Sequence, residues 1–301
     1  MTLSRSLIPD LACLQAFEAA ARHGSFTRAA IELNLTQSAV SRQVKDLEDR
    51  YGIRLFERVR QRVILSEAGQ RLLPEARKLL GQTEEMIFRT VAGRDGAQML
   101  SVATLPTFGS RWLMPRLGDF IDRHPGTVVD VGSRSEPFDF EQTNFDLAIH
   151  YGQPVWANAT TTFLCSEVVV PVASRSLMAR LPDGGPDAWD GQPLLHLATR
   201  PGLWGQWFER QRLSYAGAYG GHRFDQFAMI ITAAIAGLGI ALLPHYLIES
   251  ELAGGDLVVA AERPMATDTG YFVVMPDTKK HHPLASAFGS WLQGQVGRGA
   301  G

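Results

Sequence analysis

FTRAAIELNLTQSAVSRQVKDLEDRYG, residues 26–52, decides how the chain is read. It divides into two short helices around a turn at Asn34 and Leu35. Ser25 stands at the N-cap of the first helix, and Ala29, Ala30 and Leu33 form its inner face. Thr36 caps the second, whose buried side is Val40, Val44 and Leu47. The paired alanines let another helix come close. Gln37, Ser38, Ser41 and Arg42 point away from the Val40/Val44 stripe, in the first two turns. Gln can bond twice to adenine and Arg twice to guanine, and Ser permits close approach. A recognition helix reaches bases with its N-terminal half, and its free amides suit phosphate. On charge alone, a solvated face of an ordinary three-helix domain is the simpler reading. The Ala-Ala pair, the turn and the cap at these offsets favour DNA.

Upstream, Asp10 caps a helix reaching about Arg22, with Leu11, Leu14, Phe17 and Ala21 on one face and Gly24 at its end. Downstream comes IRLFERVRQRVILSEAG, residues 53–69. Apolar Leu55 and Phe56 and the β-prone run Val63, Ile64, Leu65 flank Arg58, Arg60 and Arg62. This reads as a two-stranded wing presenting arginines to the DNA backbone or minor groove.

Residues 1–66 resemble the winged helix-turn-helix of LysR-type transcriptional regulators. The resemblance rests on Ala29-Ala30, Leu33, Thr36-Gln37, Val40-Ser41, Leu47-Glu48, Gly52, Leu55 to Arg58, and Leu65 to Gly69. Ser38-Ala39 and Ser66 depart from the usual pattern, which bears on base preference and not on the fold. The DNA-contacting set implied is Ser25, Thr36, Gln37, Ser38, Ser41, Arg42, Arg58, Arg60 and Arg62.

Ser66 caps a long helix with Glu67 in its first turn. Leu72, Leu73, Ala76, Leu79, Leu80, Thr83, Met86, Ile87 and Val91 keep an apolar stripe along it, and Pro74 is expected to kink it. The stripe needs a partner, either a second copy or the chain's own C-terminal domain; the resemblance implies a homodimer. Residues 93–96, GRDG, read as a hinge.

From residue 97 short β-runs alternate with helices, which predicts α/β units on parallel sheets. Asp225 is expected to cap a helix over 226–236. The stretches VATLPTFGSRWLMPRLGDFIDRHPG, FDLAIHYG and AAIAGLGIALLPHYLIE resemble the LysR effector-binding domain, closest in texture to the glycine-cleavage and β-lactamase activators. That domain is similar to periplasmic binding proteins, with two α/β lobes around a ligand cleft. The domain plan is therefore 1–66 winged helix-turn-helix, 67–96 linker helix and hinge, and 97–301 effector-binding domain. Lobe I is placed at about 97–170 plus 268–301, and lobe II at about 171–267.

The turn Thr104, Leu105, Pro106, Thr107 is the expected carboxylate-holding element, using hydroxyls and helix-start amides. By the resemblance, Ser133, His150, Tyr151, Gly152, His196, Phe224, Asp225 and Gln226 line the remainder. His150 is singled out for a charge change near neutral pH. The partners implied are double-stranded promoter DNA, a small-molecule effector (a carboxylate or amino-acid-like metabolite), RNA polymerase, and further copies of the chain as a dimer and tetramer.

Composition sets bounds. The net charge of −2 is uneven: residues 1–96 hold 15 Lys and Arg against 12 Asp and Glu, and residues 97–301 hold 14 against 19. The basic excess lies with the helical pair. Two cysteines, Cys13 and Cys165, make neither a disulfide framework nor a metal cluster. The N-terminus lacks a signal-peptide core and no apolar run reaches membrane-spanning length, so a cytoplasmic protein is expected. Gly237-Leu238-Gly239 ends a helix before a strand, the reverse of a dinucleotide fingerprint. His281-His282 has no third metal ligand nearby, and no nucleophile elbow is present. No cofactor and no enzymatic activity are expected. The competing class is a solute-binding or catalytic α/β protein carrying incidental N-terminal helices.

Overall fold

The computed structural model describes residues 8–59, 62–92, 98–182, 185–189 and 191–296. Arg60 and the expected hinge at 93–96 lie outside them. The chain divides into two units, Met1–Asp95 and Gly96–Gly301.

In the first unit, α1 (Leu11–His23), α2 (Phe26–Glu32) and α3 (Gln37–Tyr51) are capped by Asp10, Ser25 and Thr36, each accepting a backbone N–H. Gly24 and Gly52 take left-handed conformations that end α1 and α3. Leu14, Phe17, Ala29, Ala30, Val40, Val44 and Leu47 form one buried core. A two-stranded wing follows, β1 (Phe56–Val59) paired antiparallel with β2 (Arg62–Leu65), Val59 opposite Arg62. The wing is fixed at its base. Phe56 meets Phe17 and Phe26 edge-on at 5.6 and 5.3 Å, and Glu48 Oε1 accepts from the amides of Leu55 (2.7 Å) and Phe56 (3.3 Å).

Helix α4 (Glu67–Ala92) is capped by buried Ser66, whose hydroxyl accepts from Gly69 N–H and donates to the Arg54 carbonyl. A Cβ at Gly69 would lie 2.3 Å from the Leu55 carbonyl oxygen, so this contact requires glycine. The helix runs on through Pro74 without interruption. Its first half is part of the DNA-binding core, with Ala76 buried and Leu72, Leu73 and Leu80 packed against it. Its second half is bare: Met86, Ile87, Phe88 and Val91 are each more than half exposed.

The second unit is built on one mixed sheet, where parallel sheets were expected. Its strands are β3 (Gln98–Thr104), β4 (Thr127–Ser133), β5 (Leu147–Gly152), β6 (Ala159–Ser174), β7 (Leu194–Leu197), β8 (Gly221–Phe224), β9 (Ile240–Pro244), β10 (Leu257–Val259) and β11 (Met265–Pro276). The order is β4-β3-β5-β11-β6-β9-β7-β8, with β10 also on β6. The β3/β4, β3/β5, β7/β8 and β7/β9 pairs are parallel, as crossover helices dictate. The long β6 and β11 run antiparallel to each other and to their other neighbours, because they carry the chain between the halves of the sheet. Their pairing shifts register at Tyr271/Phe272.

Helices cover each half. The short α5 (Pro106–Phe108) leads through a wide turn at Gly109–Leu113 into α6 (Met114–Arg123), which packs with α11 (Pro283–Val296) over β3. Phe120, Phe288 and Trp291 meet there, and Trp291 Nε1 donates to Asp119 at 2.7 Å. The other half also carries α7 (Arg175–Met178), α8 (Leu203–Arg210) and α10 (Glu249–Gly254). There Trp189, Trp204, Trp207 and Phe208 pack on one sheet face, and α9 (Phe227–Ile235) packs on the other through Ile230, Ile231 and Ala234. Burying each such large side chain is worth about 1.5–3 kcal/mol.

Candidate DNA-reading helix and effector cleft

Thr36 organises the start of α3. Its hydroxyl oxygen accepts from Ala39 N–H at 3.2 Å and lies 3.0 Å from the Ser38 hydroxyl. Gln37, Ser38 and Arg42 are exposed and Ser41 is half-buried beside them. No protein group among the described residues bonds the side chains of Gln37 or Arg42. Ser25 spends its oxygen on Arg28 N–H, so its first role is the cap. Arg58 and Arg62 sit in the wing strands, and Arg60 lies outside the described residues. Behind these elements Arg22 bridges Glu18 and Glu32, His23 also reaches Glu32 at 2.6 Å, and Arg77 of α4 bonds Glu18 at 3.1 Å. Arg22 and then His23 hold the Glu32 carboxyl down to about 2.

In the second unit a cavity of about 310 Å³ opens where the two halves of the sheet meet. Of the residues expected from sequence, Leu105, Pro106, Thr107, Tyr151, Gly152, Asp225 and Gln226 line it. The expected carboxylate-holding turn is built differently. Pro106 has no N–H, and the Thr107 hydroxyl accepts from Ala228 N–H of α9 at 3.1 Å. Asp225 was expected to cap that helix; instead the N-cap is Gln226, which makes no side-chain bond. Thr107, from the opposite half, supplies the missing acceptor, because Asp225 lies one residue too early.

Thr104, Ser133, His150, His196 and Phe224 are not in the cavity wall. Thr104 is buried under Gly109. Ser133 is exposed at the end of β4. His150 alternates with Tyr151 on β5, so it faces the opposite side of the sheet, edge-on to Trp156 at 5.1 Å. Burial pushes its pKa below the ordinary imidazole value. This disfavours the protonated form that a switch near neutral pH needs. His196 is buried with Nε2 2.8 Å from the Gly220 carbonyl oxygen, a core contact. Phe224 packs against the core beneath α9.

The polar network behind the cavity wall was not foreseen. Glu167 of β6 is fully buried, with Arg200 Nη1 at 2.6 Å and the Tyr271 hydroxyl donating at 2.8 Å. The Tyr246 hydroxyl donates in turn to Tyr271. Burial holds both phenols well above the ordinary tyrosine range, so both stay protonated donors. The Arg200 guanidinium stacks 3.5 Å over the Tyr151 ring, and Arg200 and Tyr271 both line the cavity. Burial is the largest single influence and opposes its charge, but Glu167, Tyr271 and Tyr151 together outweigh it and raise its pKa. One sequence signal pointed here: Glu167 interrupts the apolar run FLCSEVVVPVA, and a carboxylate buried in a strand needs a cation. Among the described residues no group of three His, Cys, Asp or Glu could hold a metal. Cys165 is raised to about 11 by burial, then by Glu167, which disfavours a reactive thiolate.

Residues 11–70 match the family model of the bacterial regulatory helix-turn-helix protein, lysR family, and residues 93–297 match the LysR substrate binding domain. The chain belongs to the LysR family of transcriptional regulators. This LysR regulator is 34% identical over 286 residues to the glycine cleavage system transcriptional activator of Escherichia coli (strain K12), covering 95% of this chain and 93% of that one. It is 33% identical over 288 residues to the HTH-type transcriptional activator AmpR of Pseudomonas aeruginosa, covering 94% of each. Its fold is similar to the AmpR effector domain of Pseudomonas aeruginosa, with a TM-score of 0.61 and 24% identity over 68% of this chain and 97% of that one. It is also similar to CrgA of Neisseria meningitidis, with a TM-score of 0.55 and 23% identity over 99% and 100%. LysR regulators bind promoter DNA and small-molecule effectors and form oligomers. This one joins a helix-turn-helix DNA-binding domain to an effector-binding domain. Among the described residues no helix is long and apolar enough to cross a membrane.

Proposed function

We propose that this regulator works as a homodimer paired through α4, with Gln37, Ser38, Ser41 and Arg42 reading bases in two half-sites. Thr36, Ser25 and the wing arginines hold phosphate. The exposed apolar surface of Met86, Ile87, Phe88 and Val91 carries this reading. A helix leaves so much apolar side chain bare only where another surface covers it. The dimer fixes the spacing of the two recognition helices, and half-site spacing follows from it. A small molecule in the Thr107/Tyr151/Asp225 cavity favours one arrangement of assembled subunits, a tetramer included, and so changes how the protein engages DNA and RNA polymerase in the cytoplasm. A ligand can do this only through different affinity for the two arrangements.

The test is a gel shift on the promoter next to the regulator's own gene, with salt titration. Specific binding that weakens steeply with salt is expected. Arg42→Ala should cost about 1–3 kcal/mol on that site and little on random DNA if it reads guanine. Equal loss on both DNAs assigns Arg42 to phosphate alone.

A further inference from the structure

We propose that the effector is a small zwitterion, a proteinogenic α-amino acid, held between Arg200 and Asp225. The inference rests on the reading that this cavity is the effector site. Arg200 and Asp225 are the charged residues in its wall among the described residues. They carry opposite signs, and no ion pair joins them. Arg200 is already fixed: Glu167 holds Nη1 from behind, and Tyr151 stacks on the guanidinium plane. Its rigid fork is thereby ordered before a carboxylate arrives, which lowers the entropy cost of binding. Asp225 is exposed, and no described residue is bonded to its carboxylate.

The same pair excludes other ligand classes. A simple carboxylate drawn to Arg200 would meet the unpaired Asp225 and the Glu167 charge behind the guanidinium. A simple amine drawn to Asp225 would meet Arg200. An α-amino acid carries both charges on neighbouring atoms and satisfies each side, so repulsion works against its one-charge analogues. Leu105, Phe108, Leu197, Phe227 and Leu247 give the rest of the wall an apolar character suited to an aliphatic or aromatic side chain. At about 310 Å³ the space lies at the bottom of the roughly 300–1,000 Å³ range of ligand pockets, which sets the size at a single amino acid or a little more.

The test is a thermal-shift screen of the full-length protein against the twenty proteinogenic L-amino acids, followed by calorimetric titration of any hit. For the hit, the matching 2-hydroxy acid and the decarboxylated amine are titrated beside it. At least one amino acid is expected to raise Tm, with both analogues at least about tenfold weaker, the loss of one charge-assisted bond. Asp225→Asn, an exposed substitution that should leave folding unchanged, is expected to weaken the amino acid by about tenfold or more and to leave the hydroxy acid as tight as before or tighter, since its repulsion from Asp225 is gone. Arg200→Lys, which keeps a cation beside Glu167, should weaken both acids together. No shift with any amino acid, equal binding of either analogue, or an Asp225→Asn variant that binds like the parent overturns the proposal. The same preparations go into the gel shift. A bound amino acid that leaves DNA binding unchanged refutes effector control at this cavity while keeping the zwitterion site. DNA binding that responds only to a ligand of another class does the reverse.

Discussion

Replacing Arg200 by methionine tests whether the Glu167 network holds the cleft together. Glu167 is fully buried and accepts from Arg200 at 2.6 Å and from Tyr271 at 2.8 Å. Arg200→Met leaves that carboxylate with the Tyr271 hydroxyl and no cation. Breaking a buried pair from one side costs about 3–5 kcal/mol, because the surviving charge is desolvated and uncompensated. Removing both charges avoids that penalty, so Glu167→Leu with Arg200→Met should lie near the parent or within about 1–2 kcal/mol of it. All six tryptophans (residues 112, 156, 189, 204, 207 and 291) lie in the second unit. Tryptophan fluorescence during urea unfolding of the intact chain therefore reports on that unit alone. For a unit of this size each kcal/mol moves Tm by about 2–4 °C, so the single variant should melt about 6–20 °C lower. A double variant as unstable as Arg200→Met, or a single variant costing under about 1 kcal/mol, would refute the claim that charge compensation is what Arg200 supplies.

Other outcomes follow from the same geometry. Phe88→Glu places a charge on the bare half of α4 and should shift light scattering from dimer towards monomer with little change in helicity; an unchanged mass refutes α4 pairing. Thr107→Val removes the acceptor for Ala228 N–H and should blunt the effector response while basal DNA binding persists, and an unchanged ligand affinity and response would detach Thr107 from the site. Glu32 is held at about 2 in the folded chain by Arg22 and His23. Its contribution is thus present above the ordinary carboxylate value and lost as pH falls towards 2. Because Glu32 is exposed, this loss should shrink in high salt, and acid unfolding of Glu32→Gln compared with parent at low and high salt checks both points.

The DNA-reading unit was legible in the sequence because its determinants are local. A cap at Asp10, Ser25, Thr36 or Ser66 acts over three or four residues, and the Val40, Val44, Leu47 stripe is a single helix period. What lay outside local reach there was the seat of the wing: Glu48 tied to the amides of Leu55 and Phe56, and Gly69 against the Leu55 carbonyl.

The cleft shows the opposite balance. Strand runs and the Thr107 turn could be read along the chain. The network behind the cleft draws Glu167 from β6, Tyr271 from β11, Arg200 from after β7 and Tyr246 from after β9. Glu167 and Tyr271 are 104 residues apart, and no periodicity records such a pair. His150 was misplaced for a related reason. Its neighbour Tyr151 faces the cavity, and a strand sends adjacent side chains to opposite faces, so one residue of register decides which of them meets ligand. Local chemistry thus determined the helix-turn-helix and the exposed polar start of α3. Only the tertiary structure, which sets the ends of β7 and β8 beside the β6/β11 pair, decided that Arg200 and Asp225 are the charged residues of the cavity wall.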